Sequence, residues 1–336
     1  MKRALVIGGT GFIGINLVDE LLARGVSVRV ARRKRSPTIL LGRRPVEFVE
    51  AALEDTGALF RAMRGCDVVF LAGAYYPRDS LDRETSLAVG VAGVRHACEA
   101  ALASGVSRFG YTSSVGAHDR PQGARPADER DVPRGMPEDS VYRATKWAME
   151  REVERAADRG LPAVTLMPGG CVGPWDARVG TGALLLGVVR EEIPWWVEGT
   201  VNLVDVADVA RAHVAAVEAR GSRYCLGGHD VRVGWLFDHV ALRYGGRAPP
   251  LRLDPDAARA RADAEEAAAA VTRARAPFPR EMVDLITTGQ PVSNARAEAE
   301  LGARFGPLDA ALDRAYAWYE RFRYLSPHAR ERSHES

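Results

Sequence analysis

Apolar residues near the start of the chain come in short runs, separated by helical stripes. Ala4 to Ile7 is a four-residue apolar run, which predicts a strand buried on both faces. Gly8, Gly9, Gly11 and Gly14 follow at once, and Ile13, Leu17, Val18, Leu21 and Leu22 then share one helical face until Arg24-Gly25. The alternation continues. Val26 to Ala31, Val46 to Val49, Asp67 to Leu71, Arg108 to Thr112 and Ala163 to Met167 predict further strands. Helices are predicted at about Thr56 to Arg64, Thr85 to Ser104 and Ser140 to Arg159. Alternating strands and helices with short connections predict an α/β fold, a doubly wound parallel (Rossmann) sheet with its site beyond the carboxyl ends of the strands.

The later half is less regular. We expect residues 1–173 to form a dinucleotide-binding domain to which 200–222 return. Residues 174–199 and 223–325 would build a smaller C-terminal substrate lobe, and 326–336 a disordered polar tail. Trp195 and Trp196 are adjacent and place one ring on each face of a strand; with Trp175 they either line an apolar pocket or close the lobe core. Pro255 to Arg275 mixes Ala, Arg, Asp and Glu and predicts a surface helix rather than a nucleic-acid patch. Leu308 to Phe322 predicts an amphipathic terminal helix.

Composition narrows the class. Hydrophobic content of 46% and charged content of 27% are those of a soluble globular protein, and a net charge of +2 favours neither nucleic acid nor an acidic surface. No apolar run is long enough to span a bilayer, and no cleavable leader is expected ahead of the first strand. The cysteines at 66, 98, 171 and 225 lie far apart without a CxxC, so reduced thiols in a cytoplasmic protein are expected. The seven histidines form no ligand pair at helical spacing, so no metal site is expected.

The candidate chemistry begins at the glycines. Strand, glycine turn and helix N-terminus form a phosphate cradle, because glycine lets a pyrophosphate approach the backbone and the helix offers free N–H groups. The string fits both Gly9-x-Gly11-x-x-Gly14 and Gly8-x-x-Gly11-x-x-Gly14. At the end of the second strand, where an NAD-binding fold would place an acid on the ribose, stands Arg32-Arg33-Lys34-Arg35. Guanidinium groups clamp a 2′-phosphate, so NADP(H) is expected over NAD(H), with Arg32 and Arg33 in contact; a solvated basic loop is the alternative. Ala72-Gly73-Ala74 ends one strand, with Tyr75 and Tyr76 either bordering the site or packing a loop. Thr112-Ser113-Ser114 ends another. The loop from Ala117 to Asp139, rich in Pro, Gly and charge, is expected beside the substrate or mobile. Tyr142 and Lys146 are four apart and share a helix face. A phenol titrates near 10 and works poorly at neutral pH unless a nearby ammonium favours its phenolate. The bland alternative is an exposed helical pair.

Taken in order and spacing, the glycine turn at 8 to 14, Tyr-Thr-Ser-Ser at 111 to 114 and Tyr-x-x-x-Lys at 142 to 146 resemble the extended short-chain dehydrogenase/reductase family, the NAD-dependent epimerase/dehydratases. Leu166 to Pro174, Asn202 to Ala210 and Ala295 to Gly302 resemble its further segments, and the dihydroflavonol-reductase-like and hopanoid-associated sugar epimerase branches look nearest. The resemblance implies Tyr142 as general acid/base, Lys146 as its partner and ribose contact, and Ser114, with Ser113 as fallback, on the substrate oxygen. It implies a cofactor wall of Gly8, Gly11, Phe12, Ile13, Gly14, Arg32, Arg33, Leu53, Leu71, Ala72, Gly73, Thr112, Tyr142, Lys146, Pro168, Gly169 and Gly170. Tyr75, Ser114, Trp175 and Trp195 are the expected substrate contacts. Relatives often pair through a four-helix contact that includes the Tyr142 helix, so a homodimer is one arrangement open to this chain. Two departures stand out: Gly90 replaces an Asn that supports proton relay, and Ala52 replaces an Asp that contacts adenine, leaving backbone near Leu53, or Glu54 and Asp55, for that task. The leading expectation is an NADP(H)-dependent oxidoreductase interconverting a ketone and a secondary alcohol on a moderately apolar small molecule. A nucleotide-sugar epimerase and a non-catalytic dinucleotide sensor are the alternatives. A 4,6-dehydratase is disfavoured because Val115-Gly116 follows Ser114 where an Asp-Glu pair would be needed.

Overall fold

The structure, a computed structural model, describes residues 1–75, 82–121, 123–272, 276 and 278–325. The tail from 326 and Tyr76 lie outside the described residues. The first half alternates as expected: β1 (Arg3–Ile7), α1 (Phe12–Ala23), β2 (Ser27–Arg32), β3 (Val46–Glu50), α2 (Thr56–Met63), β4 (Val68–Leu71), α3 (Arg83–Ser104), β5 (Arg108–Thr112), α4 (Val141–Asp158) and β6 (Ala163–Pro168). The second half holds β7 (Gly170–Val172), α5 (Ala183–Val189), β8 (Trp195–Val197), β9 (Thr200–Asp205), α6 (Val206–Ala216), β10 (Arg223–Leu226), β11 (His229–Arg232), α7 (Val233–Tyr244), β12 (Leu251–Leu253), α8 (Pro255–Thr272), α9 (Arg280–Thr288), α10 (Ala295–Leu301) and α11 (Leu308–Arg321).

Seven strands form one parallel sheet in the order β10-β6-β5-β4-β1-β2-β3. The order reverses on either side of β1, which opens a crevice beyond the strand ends there. Both faces are covered, which is why the central strands read as unbroken apolar runs. One core packs α1 and α6 against the sheet through Leu17, Leu21, Val209 and Val214; the other packs α2, α3 and α4 through Leu59, Val94, Ala97, Met149 and Val153. A third core belongs to the later segments and gathers Leu184, Leu186, Trp195, Phe237, Ile286 and Tyr319. Two boundaries differ from expectation. β10 lies within the lobe range read from the sequence, yet it pairs with β6 at the edge of the large sheet. β9 joins β7 and β11 in a separate three-stranded sheet, though its Val204 shares the core beneath α1, and α6 returns to pack on α1.

Candidate active site

A cleft of about 1400 Å³ crosses the carboxyl ends of the large sheet and runs beneath the lobe. Its floor at one end is the first glycine turn. Gly8 has φ +86°, and a Cβ placed on it would stand 2.3 Å from Gly73 Cα, so the turns after β1 and β4 touch backbone to backbone. Gly14 lets α1 settle on the turn, since a Cβ there would meet the Gly8 carbonyl oxygen at 2.1 Å. Gly11 is the N-cap of α1 and no side chain caps it; Gly11, Phe12 and Ile13 line the cleft. That helix N-terminus, opened by glycines and capped by no side chain, fits a dinucleotide pyrophosphate. Arg32 and Arg33 line the cleft beyond β2, and neither is ion-paired among the described residues. Arg32 turns back to the carbonyl oxygens of Arg33 and Lys34, at 3.4 and 3.1 Å. Leu53 and Glu54 line the wall near Gly93 of α3, and His96 Nδ1 donates to the Leu53 carbonyl at 2.8 Å. Asp55 is spent as the N-cap of α2.

The reactive end is built by α4. Ser140 caps it, accepting from the Arg143 N–H at 3.1 Å. Tyr142 and Lys146, each only 8% exposed, point from the first turns into the cleft. Their burial rules out an exposed surface pair. The Lys146 Nζ lies 5.9 Å from the centre of the Tyr142 ring. Burial pushes the Lys146 ammonium down to about 8, against the opposing charge of Glu150 one turn on. Ser114 lines the same wall, and its hydroxyl accepts from the Gly116 N–H at 3.1 Å. Ser114 Oγ and Tyr142 Cε1 flank Gly116, each 3.4 Å from where its Cβ would be. Ser113 is committed elsewhere: its hydroxyl donates to buried Glu150, which Arg223 holds at 2.8 Å. Thr112 reaches the cleft too, but its hydroxyl donates to His213 Nε2 at 2.8 Å, and burial keeps that imidazole neutral, titrating at about 4.

Gly90 sits where α3 meets α4. A Cβ there would meet Thr145 at 2.9 Å and Met149 Sδ at 3.2 Å, so the helices leave no room for an Asn side chain. All four cysteines are buried free thiols, and burial pushes Cys98 up to about 12. Among the described residues no cluster of His, Cys, Asp and Glu converges to hold a metal ion, and no helix is long and apolar enough to cross a membrane.

Ala72, Gly73, Tyr75, Pro168, Gly169 and Gly170 all line the cleft. Four expectations need correction. Leu71 is wholly buried within β4 between Ile7 and Tyr111 and does not line the cleft. Gly14 supports the turn from behind rather than facing it. Trp195 is fully buried, with its ring 5.0 Å from Phe278 and its Nε1 donating to Glu265 at 2.9 Å; it closes the lobe core. Trp175 packs between Trp318, Phe322 and the Arg44 guanidinium instead of lining the cleft. The lobe wall is made by Leu184 of α5, Val201, Asn202 and Leu203 of β9, and Glu281, Met282, Leu285 and Thr288 of α9; of these the sequence reading named only Asn202 and Leu203, as part of a family-like segment and not as wall. The α9 positions 281, 282, 285 and 288 share one helical face, a legible stripe whose target only the tertiary fold reveals. The loop from 117 to 139 borders the cleft through Asp119, Arg120 and Asp139, and Arg125–Asp131 and Arg130–Asp128 ion pairs pin it.

Comparison with known proteins agrees with this geometry. The model of the NAD dependent epimerase/dehydratase family matches residues 4–233. A putative dihydroflavonol 4-reductase from Synechocystis is 31% identical over 327 residues, 95% of each chain. Sterol demethylase protein B from Methylococcus capsulatus is 29% identical over 94% of this chain and 97% of its own. A crystal structure of a nucleoside-diphosphate-sugar epimerase from Pseudomonas aeruginosa superposes with TM-score 0.82 at 26% identity, over 97% of this chain and 99% of that one. The family match over residues 4–233, with a relative 31% identical along nearly the whole length, places this chain in the NAD dependent epimerase/dehydratase family, as an oxidoreductase of the extended short-chain dehydrogenase/reductase type.

Proposed function

We propose that the chain is an NADP(H)-dependent reductase or dehydrogenase that interconverts a ketone and a secondary alcohol on a moderately apolar small molecule. The observation that carries this reading is one continuous cleft, with the glycine turn at one end, Ser114, Tyr142 and Lys146 in its middle, and an aliphatic wall at the other. Val115, Leu184, Val201, Leu203, Met282 and Leu285 supply that wall. Ligand pockets usually run to about 1000 Å³ at most, so this cleft has room for a dinucleotide and a second molecule together. The names of the relatives, a putative dihydroflavonol 4-reductase and a sterol demethylase protein B, support an apolar ring-bearing substrate.

Gly8, Gly11, Phe12 and Ile13 would hold the pyrophosphate, Arg32 and Arg33 the 2′-phosphate, and Lys146 the nicotinamide ribose. When bound there, the cofactor would supply or accept the hydride at the substrate carbon. In reduction, Tyr142 gives its phenolic proton to the carbonyl oxygen, and the Ser114 hydroxyl hydrogen-bonds that oxygen. The Lys146 charge favours the phenolate left behind, so the proton leaves at lower cost. In oxidation the same phenolate takes the proton back. The lobe wall excludes water from the reacting carbon and positions the apolar body of the substrate.

The test is a panel of trans-dihydroquercetin, a 3-keto steroid and UDP-glucose, followed by NADPH or NADH oxidation and by direct binding. Reduction of one of the two ketones with higher kcat/KM for NADPH is expected. Tight UDP-glucose binding with no ketone reduction would overturn the reading in favour of an epimerase, and a clear NADH preference would overturn the cofactor assignment.

A further inference from the structure

The first turn of α4, which carries Tyr142, is held by a residue from the far end of the chain. Glu281 of α9 is buried, and its carboxylate takes a hydrogen bond from the Ser140 hydroxyl at 2.6 Å, from the Val141 N–H at 2.9 Å and from the Tyr142 N–H at 3.3 Å. Helix N-termini leave their first N–H groups unsatisfied, and a carboxylate there both fills them and meets the positive end of the helix dipole. Here that carboxylate comes from the lobe, across 139 positions of sequence from Tyr142. A second contact runs in parallel. The Cβ position of Gly116 lies 3.0 Å from Leu285 Cδ2, and the same position borders Ser114 Oγ and Tyr142 Cε1. Thus α9 holds the Tyr142 backbone through its carboxylate and, through Leu285, closes over the Gly116 position that Ser114 and Tyr142 also border. Met282, Leu285 and Thr288, on the Glu281 face, line the substrate end of the cleft.

We infer that Glu281 is a positioning residue, which seats the first turn of α4, and with it the Tyr142 phenol, on the lobe helix that meets the substrate. The catalytic role of Tyr142 rests on the proposed function; the seating of the helix does not. A phenol swung by even a small distance loses alignment with the substrate oxygen, and about 100-fold in rate can follow from about 1 Å of misplacement. The pyrophosphate and 2′-phosphate contacts assigned to the β1 turn and to Arg32 and Arg33 lie outside α4, so most of the grip on the cofactor should survive the change.

The experiment compares wild type, Glu281→Ala and Glu281→Gln by peptide-resolved amide hydrogen exchange, NADPH titration and turnover of whichever panel ketone the wild type reduces. For Glu281→Ala, exchange across 141–146 is expected to rise about tenfold while the distal half of α4 and β1 stay protected. NADPH affinity should hold within about twofold, and kcat should fall about tenfold or more with little change in KM. Glu281→Gln keeps one oxygen acceptor and should restore part of both the protection and kcat. Unchanged exchange at 141–146 in Glu281→Ala would overturn the inference, as would a rise spread evenly over the whole sheet. Unchanged kcat alongside local loosening would also overturn it. If the wild type reduces no ketone, the functional reading fails on its own, and the exchange data still decide whether Glu281 seats α4.

Discussion

The two ends of the cleft are built by opposite means. At the end proposed to hold the cofactor, the residues assigned to it are neighbours in sequence: Gly8, Gly11 and the N-terminus of α1 lie within one turn, Arg32 ends the next strand and Arg33 follows it. At the substrate end the wall is assembled from α5, β9 and α9, and a carboxylate from residue 281 caps the helix that bears residue 142. The first design writes function as local motif, because backbone geometry alone makes a phosphate cradle. The second writes it as tertiary packing, which tolerates many sequences so long as the wall stays apolar and α9 stays docked. A family can therefore hold its cofactor chemistry constant while its substrates vary.

The largest effect should come from breaking the local design. Gly14→Val would drive a branched side chain into the Gly8 carbonyl oxygen. NADPH binding should be abolished and the melting temperature lowered by several degrees, an overpacking cost of about 1–3 kcal/mol or more. Calorimetry and cofactor titration together check this; normal binding would mean that the turn is not the cradle.

Next comes Lys146. Its ammonium titrates at about 8 rather than at the ordinary 10.5, so charge is lost as pH rises through about 8, and kcat for reduction should fall over that limb. Stability moves the other way. Between about 8 and 10.5 the unfolded chain holds a proton that the folded chain has released, so the unfolding free energy rises with pH in that window. Lys146→Met should lower kcat by about 100-fold and flatten both pH dependences. A wild-type rate that stays level from pH 7 to 10 would contradict the assignment.

The distal design should break selectively. Leu285→Trp fills the substrate end and should reduce kcat/KM for the larger ring systems by about 10-fold or more while leaving NADPH affinity within about twofold. Trp195→Phe, in contrast, should cost stability without changing substrate preference, since its ring touches Phe278 and Glu265 and not the cleft. A changed substrate preference in Trp195→Phe would restore that residue to the pocket. Arg33→Ala acts on the cofactor end alone. Losing one charge-assisted contact of about 1.5–3 kcal/mol should weaken NADPH binding by about 10- to 100-fold and leave NADH binding unmoved.

The same contrast explains what could be read from the sequence. The parallel sheet, the glycine turn and the Tyr142–Lys146 pair were legible because each is a short-range pattern with its own physical cause. Trp175 and Trp195 misled because aromatic side chains serve cores and pockets alike, and only packing tells them apart. Leu71 and Gly14 were adjacent to the right place, but strand alternation points one into the sheet core and helix geometry turns the other away. β10 escaped because an edge strand of four residues, Arg223–Leu226, carries little pattern of its own. Glu281 was invisible because its partner lies in another helix, far away in sequence.

The account stands most directly on the phenol at 142. Tyr142→Phe removes one oxygen from a buried ring and leaves the glycine turn untouched. NADPH titration and turnover of the panel ketone, measured on the same preparation, should give cofactor affinity within about twofold of wild type and a kcat lower by about 100-fold or more. Turnover equal to wild type, with cofactor bound, would contradict the claim that this cleft works through Tyr142.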